Sequence, residues 1–268
     1  MNGILPLWKE RGMTSHDCVF KLRKILQTKK VGHTGTLDPG VEGVLPICIG
    51  QATRIAEYLT DAGKTYEAVV SIGRTTTTED AEGDTVEENT QLKSFSRAQI
   101  LAALTSLTGE IQQTPPMFSA VKVNGKKLYE YARAGQTVER PTRTITIYEL
   151  ELLDDAEKFE GEEVRFSIRI KCSKGTYIRT LAVQIGEALG YPAHMHELVR
   201  TASGTFTQDN CFTLAEIAKL MEAGEQQQFL LPVEYALSDY LVLKLQRLHQ
   251  LSGKIQSTQC NPVFYMGS

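Results

Sequence analysis

The sequence predicts an α+β fold, with a mainly antiparallel mixed sheet flanked by helices and loops. Three observations carry that prediction. Stretches such as Val164–Cys172 alternate apolar and polar residues with the period of a strand. Helix-start signals, Ser96-Arg97-Ala98-Gln99 and Thr213-Leu214-Ala215-Glu216, open stretches of helical period. Strands and helices do not alternate regularly, which argues against a doubly wound parallel sheet.

Taken in order, Thr14 or Ser15 can cap a helix whose inward face carries Cys18, Leu22, Ile25 and Leu26. Lys64 to Gly73 alternates, with Tyr66, Ala68, Val70 and Ile72 on one side. The acidic, threonine-rich stretch after it reads as a loop. Ser96 then caps a helix bearing Ile100, Ala103, Leu104 and Leu107, with Gly109 as its stop. Asn124-Gly125 between two basic segments is a hairpin signal, because both residues tolerate positive φ. Thr142 to Leu153 reads as a strand. Val164, Phe166, Ile168, Ile170 and Cys172 alternate with Arg165, Ser167, Arg169 and Lys171, giving one apolar and one basic face. Thr176 to Leu189 has helical period and ends at Gly190. The Pro and Gly content around Leu230-Leu231-Pro232 marks a boundary. The expected division is a catalytic domain over 1–232 and a short C-terminal segment over 233–268, too small for a robust second domain.

At 268 residues, with 41% hydrophobic and 23% charged residues, the chain can bury a core and is neither disordered nor fibrous. Its apolar runs, such as Val44–Ile49, fall far short of the roughly 20 residues of a membrane span. Trp8-Lys9-Glu10-Arg11 stands where a signal peptide needs its apolar stretch, so a cytoplasmic protein without membrane contact is expected. Five widely spaced cysteines with no C-x-x-C fit neither a disulfide framework nor a zinc site of the usual spacing. His194 and His196 share one face of a strand, but no third ligand pattern stands near them in sequence. They are read as packing or surface residues, and no metal is expected.

The net charge of −3 disfavours a nucleic-acid partner until its distribution is examined. Between Asp17 and Asp38 stand Lys21, Arg23, Lys24, Lys29 and Lys30 with no acid. Val164 to Gly186 is likewise free of acids and carries Arg165, Arg169, Lys171, Lys174 and Arg179. Ile111 to Tyr148 is a third basic segment. The acids gather at Glu79–Glu88 and Glu149–Glu163. The expectation is that these acids leave the basic segments locally unneutralised, so that strand and helix together can hold a polyanion.

Chemistry concentrates at Gly32-His33-Thr34-Gly35-Thr36-Leu37-Asp38-Pro39-Gly40-Val41-Glu42-Gly43-Val44-Leu45-Pro46. Its glycines let backbone approach a ligand. It is no P-loop, because Val41-Glu42 follows Gly40 where Lys and Ser/Thr are required. What remains is a loop displaying His33 and Asp38 just after a basic helix. Lys64-x-Tyr66 opens a strand, Pro115 to Gly125 forms a second rigid basic loop, and Lys174 to Leu181 runs from the basic strand into a helix. Arg179 in that last segment can pair with a carboxylate and hold its orientation as a nucleophile.

In these four segments, in this order, the chain resembles the TruB family of bacterial tRNA pseudouridine-55 synthases. The resemblance covers roughly residues 1–215, with Val41 at the family's usual Ala. It implies a pseudouridine synthase-type fold and isomerisation of uridine 55 in the T-arm of tRNA, without metal, nucleotide or redox cofactor. It implies that Asp38 is the nucleophile, Tyr66 stacks on the base and assists proton removal at C5, and Arg179 pairs with Asp38. Tyr177 and Leu198 would line the pocket, His33 would hold the T-loop with its uridine turned out, and Asp80 would help organise the site. Lys122, Lys174 and Arg200 are the expected RNA-binding cations. Departures are Thr77, where the family often has Asp, and Val199, where it has Arg, leaving Arg200 alone. Tyr240–Ile255 resembles the start of the family's PUA-like RNA-binding module, whereas Gln256–Ser268 resembles no part of it. The chain is expected to act as a monomer. The alternatives are a non-catalytic tRNA-binding or tRNA-folding module, and a hydrolase using His194, His196 and Asp38 that chelators would inhibit.

Overall fold

The computed structural model describes residues 1–60 and 62–235. The expectations for Tyr240–Ile255 and for Gln256–Ser268 lie outside the described residues. The chain runs β1 (Gly3–Lys9), α1 (Ser15–Ile25), β2 (Val31–His33), β3 (Glu42–Ile49), a 3₁₀ turn, α2 (Ala56–Thr60), β4 (Lys64–Ile72), β5 (Arg74–Thr76), β6 (Thr85–Glu88), β7 (Lys93–Ser96) and α3 (Arg97–Ser106). It continues with β8 (Gly109–Gln113), β9 (Lys122–Val123), β10 (Lys126–Lys127), α4 (Leu128–Arg133), β11 (Arg143–Leu152), β12 (Lys158–Gly161) and β13 (Val164–Cys172). Then come α5 (Ile178–Leu189), β14 (Ala193–Ser203), β15 (Phe206–Thr207), a second 3₁₀ turn, α6 (Leu214–Glu222) and a third.

The main sheet has the order β1-β3-β14-β4-β13-β11-β8, with β2 on β3 and β15 on β14. Every pairing in it is antiparallel except β14 with β3, so the mixed, mainly antiparallel α+β architecture is as expected. One large core lies on one face, built by alternate residues of β4 and β13 under α1, α3, α5 and α6. Among the described residues no helix is long and apolar enough to cross a membrane.

The local signals act as their chemistry dictates. Thr14, Ser96 and Thr213 each accept a hydrogen bond from the amide at N3, and the side-chain oxygen of the residue at N3 accepts in turn from the cap residue's backbone amide. Gly190 ends α5 at φ 81°, a left-handed cap that a Cβ would strain. Asn124 and Gly125 have φ 51° and 84°, so β9 and β10 close through a turn of the hairpin type. Helix α5 starts at Ile178 rather than Thr176, because Tyr177 is extended at φ −99°, ψ 111°. Buried Gln113 holds it there. Its Oε1 accepts from the Tyr177 amide at 2.7 Å and its Nε2 donates to the Tyr177 carbonyl at 3.0 Å. The threonine-rich stretch after β4 is a β5–β6 hairpin rather than a loop, as β-branched residues favour.

One electrostatic expectation is corrected. The basic face of β13 is neutralised where it stands, because its neighbours in the sheet are β4 and β11. Arg169 lies between Glu67 and Glu151, with both ion pairs at 3.0 Å. Lys171 meets Glu149 at 3.4 Å, and Arg165 meets Glu163 at 3.0 Å. Glu149 and Glu151 of the preceding acidic segment are cross-strand partners of Lys171 and Arg169, so this strand is not a free phosphate-binding surface.

Candidate active site

The site sits where the ends of β4 and β14 meet the loops after β2 and β13. A cavity of about 440 Å³ opens there, within the roughly 300–1,000 Å³ common for small-ligand sites. Asp38, Tyr66, Tyr177, Arg179, Lys174, Leu198 and Arg200 all line it. Phe118, Ser119 and Ala120 line it too, so all four separate motifs of the sequence meet in one cavity.

The Asp38 loop is pinned from the N-terminal segment. Lys9 ends β1 on the same face as Leu5 and Leu7 and is fully buried. Its Nζ donates to the carbonyls of Val41 (2.5 Å), Glu10 (3.1 Å) and Pro39 (3.4 Å). Burial lowers the Lys9 ammonium from its ordinary value, and Asp38 and Glu42 pull it back. The Leu37 amide donates to Ser15 Oγ at 2.9 Å, and the Gly12 amide to the Pro39 carbonyl at 2.9 Å. Gly43 has φ 130°, and a Cβ there would come within 2.2 Å of the Arg200 carbonyl oxygen. That glycine serves the close approach of β14 to β3, not the approach of a ligand.

Lys9→Met tests the pin. It removes the donor to the loop carbonyls while keeping an unbranched side chain. We expect a loss of about 1–3 kcal/mol in stability and a fall in turnover of up to about 10²-fold from the displaced loop. Thermal melts and turnover on one preparation check both. Unchanged turnover in a folded variant would contradict the pin.

Arg179 is the centre of the site. Its side chain is 6% exposed, against 46% for Asp38, and Nη2 lies 3.0 Å from Asp38 Oδ2. Nη2 also donates to the Phe118 carbonyl at 2.9 Å, and Nη1 to the Thr78 carbonyl at 2.8 Å. Asp80 Oδ2 stands 3.7 Å from Nη1. Asp80 Oδ1 accepts from Thr78 Oγ1 at 2.5 Å and from the Glu82 amide at 3.1 Å. Two members of the acidic run thus face the protein interior: Asp80 toward Arg179, and Glu79 toward Thr180 Oγ1 at 2.6 Å. Burial pushes the Glu79 carboxyl up. Thr78 and Asp80 thus brace the arginine.

Tyr66 forms the buried floor, paired in register with Ile170 on one side and Arg200 on the other. Burial pushes its phenol up, while the charge of Arg200 and a hydrogen bond from it act the other way. Arg200 is 1% exposed, and its Nε donates to the Val44 carbonyl at 2.7 Å. It underlies the cavity from within rather than reaching out from the surface. The Arg143 guanidinium lies 4.9 Å from the Tyr177 ring centroid, a cation–π contact. His33 is not on the cavity wall. It stands at the base of the loop, where its Nδ1 accepts from the Gly35 amide at 3.4 Å. Burial first, then the charge of Arg200, pushes its imidazole down and favours the neutral ring. Lys122 is exposed on the β9–β10 hairpin and does not line the cavity.

Sequence reasoning missed Lys9 and the carbonyls of Thr78 and Phe118. A signal existed for Lys9, a lysine on the apolar face of a strand.

The fold has parallels among solved structures. The chain aligns with the crystal structure of a Cbf5-Nop10-Gar1 complex at TM-score 0.65 and 34% identity, covering 88% of this chain and 61% of that one. It aligns with an H/ACA RNP bound to a substrate RNA containing 2'-deoxyuridine at TM-score 0.63 and 30% identity, covering 88% and 60%. The architecture is that of the pseudouridine synthases. Residues 23–178 match the family model described as TruB family pseudouridylate synthase (N terminal domain), and residues 179–238 match tRNA pseudouridylate synthase B C-terminal domain. The tRNA pseudouridine synthase B of Geobacillus thermodenitrificans is 63% identical over 237 residues, covering 88% of this chain and 78% of that protein. That of Listeria innocua is 62% identical over 245 residues, covering 91% and 80%. The chain belongs to the TruB family of pseudouridylate synthases, isomerases that modify tRNA. The reading as a non-catalytic binding module gives way to that as an enzyme.

Proposed function

We propose that the chain converts uridine 55 in the T-arm of tRNA to pseudouridine, with Asp38 as nucleophile. The observation that carries this reading is the Arg179–Asp38 pair at 3.0 Å, a half-exposed carboxylate held by a buried guanidinium at the mouth of a cavity floored by Tyr66. A base inside a folded loop cannot meet a carboxylate so placed, so the uridine must turn out, at a cost of a few kcal/mol in stacking. Tyr66 and Tyr177 offset that cost by stacking. His33, at the root of the loop, helps hold the T-loop open.

The carboxylate of Asp38 attacks the nucleotide and later leaves, so the enzyme is regenerated. In the net reaction the N1–C1′ bond breaks and a C5–C1′ bond forms. C5 loses a proton and N1 gains one. Tyr66 assists that loss at C5; burial pushes its phenol up, and the charge of buried Arg200 beside it offsets part of that rise.

With β13 neutralised, phosphates are met elsewhere. Lys21, Lys24, Lys29 and Lys30 on and after α1 are exposed and have no ion pair among the described residues. Lys122 and Lys126 on the hairpin are exposed as well, and Lys174 lines the cavity. The chain is further proposed to act as a monomer in the cytoplasm, where tRNA is modified.

A T-arm stem-loop incubated with the protein tests the reading. Pseudouridine should form at the uridine of position 55, and a stem-loop with cytidine there should stay unmodified. Product at another position, or none, overturns it. Tyr66→Phe keeps the ring and removes the hydroxyl. Turnover should fall by about 10²–10⁴-fold, the range of acid–base catalysis, with stem-loop affinity unchanged. An unchanged rate would leave Tyr66 as a stacking residue.

A further inference from the structure

At the end of β14 remote from the cavity, three side chains converge. His194 and His196 lie with ring centroids 6.2 Å apart. Glu163 approaches them from the turn between β12 and β13. One ligand atom from each of the three lies within 4.8 Å of the others. The third ligand that the sequence did not offer beside His-x-His comes from a residue three decades earlier in the chain.

His194 is fully buried, and its Nδ1 is 3.0 Å from the Arg74 carbonyl oxygen. A carbonyl can only accept, so Nδ1 carries the proton and Nε2 is left with a lone pair. That Nε2 is buried with no hydrogen-bond partner, and so is Nδ1 of His196. Buried polar nitrogens are nearly always paired, so two in one cluster call for a ligand. Glu163 makes its contacts through Oε1, with Ser71 Oγ and with Arg165 Nε and Nη2, which leaves Oε2 to a ligand.

We propose that Glu163, His194 and His196 bind a first-row divalent transition metal ion, zinc foremost. Two imidazole nitrogens and one carboxylate oxygen are a donor set that suits zinc, with solvent as the fourth ligand. The supporting shell is already present. The Arg74 carbonyl fixes the His194 tautomer, and Ser71 and Arg165 orient the carboxylate. Zinc–nitrogen bonds of about 2.0–2.1 Å set ligand atoms roughly 3.4 Å apart, so the cluster closes by about 1 Å on loading. In the sheet, His194 stands opposite Ser71 and Arg200 opposite Tyr66. Five residues along β4 separate the two sites by about 17 Å. The ion therefore takes no part in the chemistry of the cavity. It ties β14 to the β12–β13 turn.

The full-length protein, stripped with a chelator and dialysed, is titrated with Co(II) while visible absorbance is read, and with Zn(II) by calorimetry. One ion per chain, a tetrahedral Co(II) spectrum with nitrogen and oxygen ligands, and a melting temperature that rises with zinc are expected. His196→Gln and Glu163→Gln should each weaken binding by at least about tenfold and leave pseudouridine formation unchanged. Glu163 is exposed, so its variant reads the site even where a histidine change disturbs folding. No binding to the native chain, equal binding by both variants, or a spectrum dominated by thiolate charge transfer overturns the proposal.

Discussion

Asp38→Asn should abolish pseudouridine formation, by about 10⁴-fold or more, while the protein still folds and binds the T-arm. The substitution is nearly isosteric. The amide oxygen can still accept from Arg179, and Arg179 keeps the carbonyls of Thr78 and Phe118 and the carboxylate of Asp80. Asp38 is half-exposed, so the lost ion pair should cost about 1 kcal/mol or less in stability. RNA affinity should hold or rise, because a negative charge leaves a surface that meets phosphates. What disappears is an oxygen nucleophile able to attack and depart. Pseudouridine formation replaces the C5–H bond, so release of tritium from uridine labelled at C5 measures the loss directly. An Asn variant that releases tritium at the native rate removes Asp38 from its role. One that neither folds nor binds RNA says that the carboxylate is structural.

The parts of this molecule legible in the sequence are those decided locally. A capping box needs only four consecutive residues; Ser96 and Thr213 act as read, and of the two candidates Thr14 and Ser15 it is Thr14 that caps α1. The apolar face of β13 and the Asn124-Gly125 turn likewise follow from period and φ preference. Even the site motifs were legible as segments, because each carries its own signature.

What was illegible depends on strand order. Glu149 and Glu151 come to neutralise Lys171 and Arg169 because β11 pairs with β13, and Glu67 joins them because β4 pairs on the other side. No linear charge count contains that. The same holds for Arg200. Read along the chain it is a surface cation, yet the register of β14 against β4 places it beside Tyr66 and buries it. A buried guanidinium next to a buried phenol tunes a proton, whereas an exposed one grips a phosphate. Glu163 and the histidine pair are a third case. Residues 31 and 33 positions apart become neighbours through the sheet.

Arg179→Lys should lower turnover by about 10²-fold and stability by about 1–3 kcal/mol. Charge is conserved, so any effect comes from geometry. The guanidinium uses Nη1 and Nη2 to span two carbonyls and two carboxylates at once. A lysine nitrogen is a single point on a flexible stem and cannot hold that fork. One of the Thr78 and Phe118 carbonyls is left without its donor, and Asp38 loses the contact that orients it. The rate loss should therefore appear in kcat, with KM for the stem-loop nearly constant, because Arg179 is buried below the surface that meets RNA. The melting temperature should fall by several degrees for a chain of this size. Combining Arg179→Lys with Asp38→Asn separates the two contributions. If Arg179 acts through Asp38, the double variant should be no slower than Asp38→Asn, because the group that Arg179 orients is already inert. A double variant slower than Asp38→Asn by the full single-site factor would instead give Arg179 a direct contact with the nucleotide.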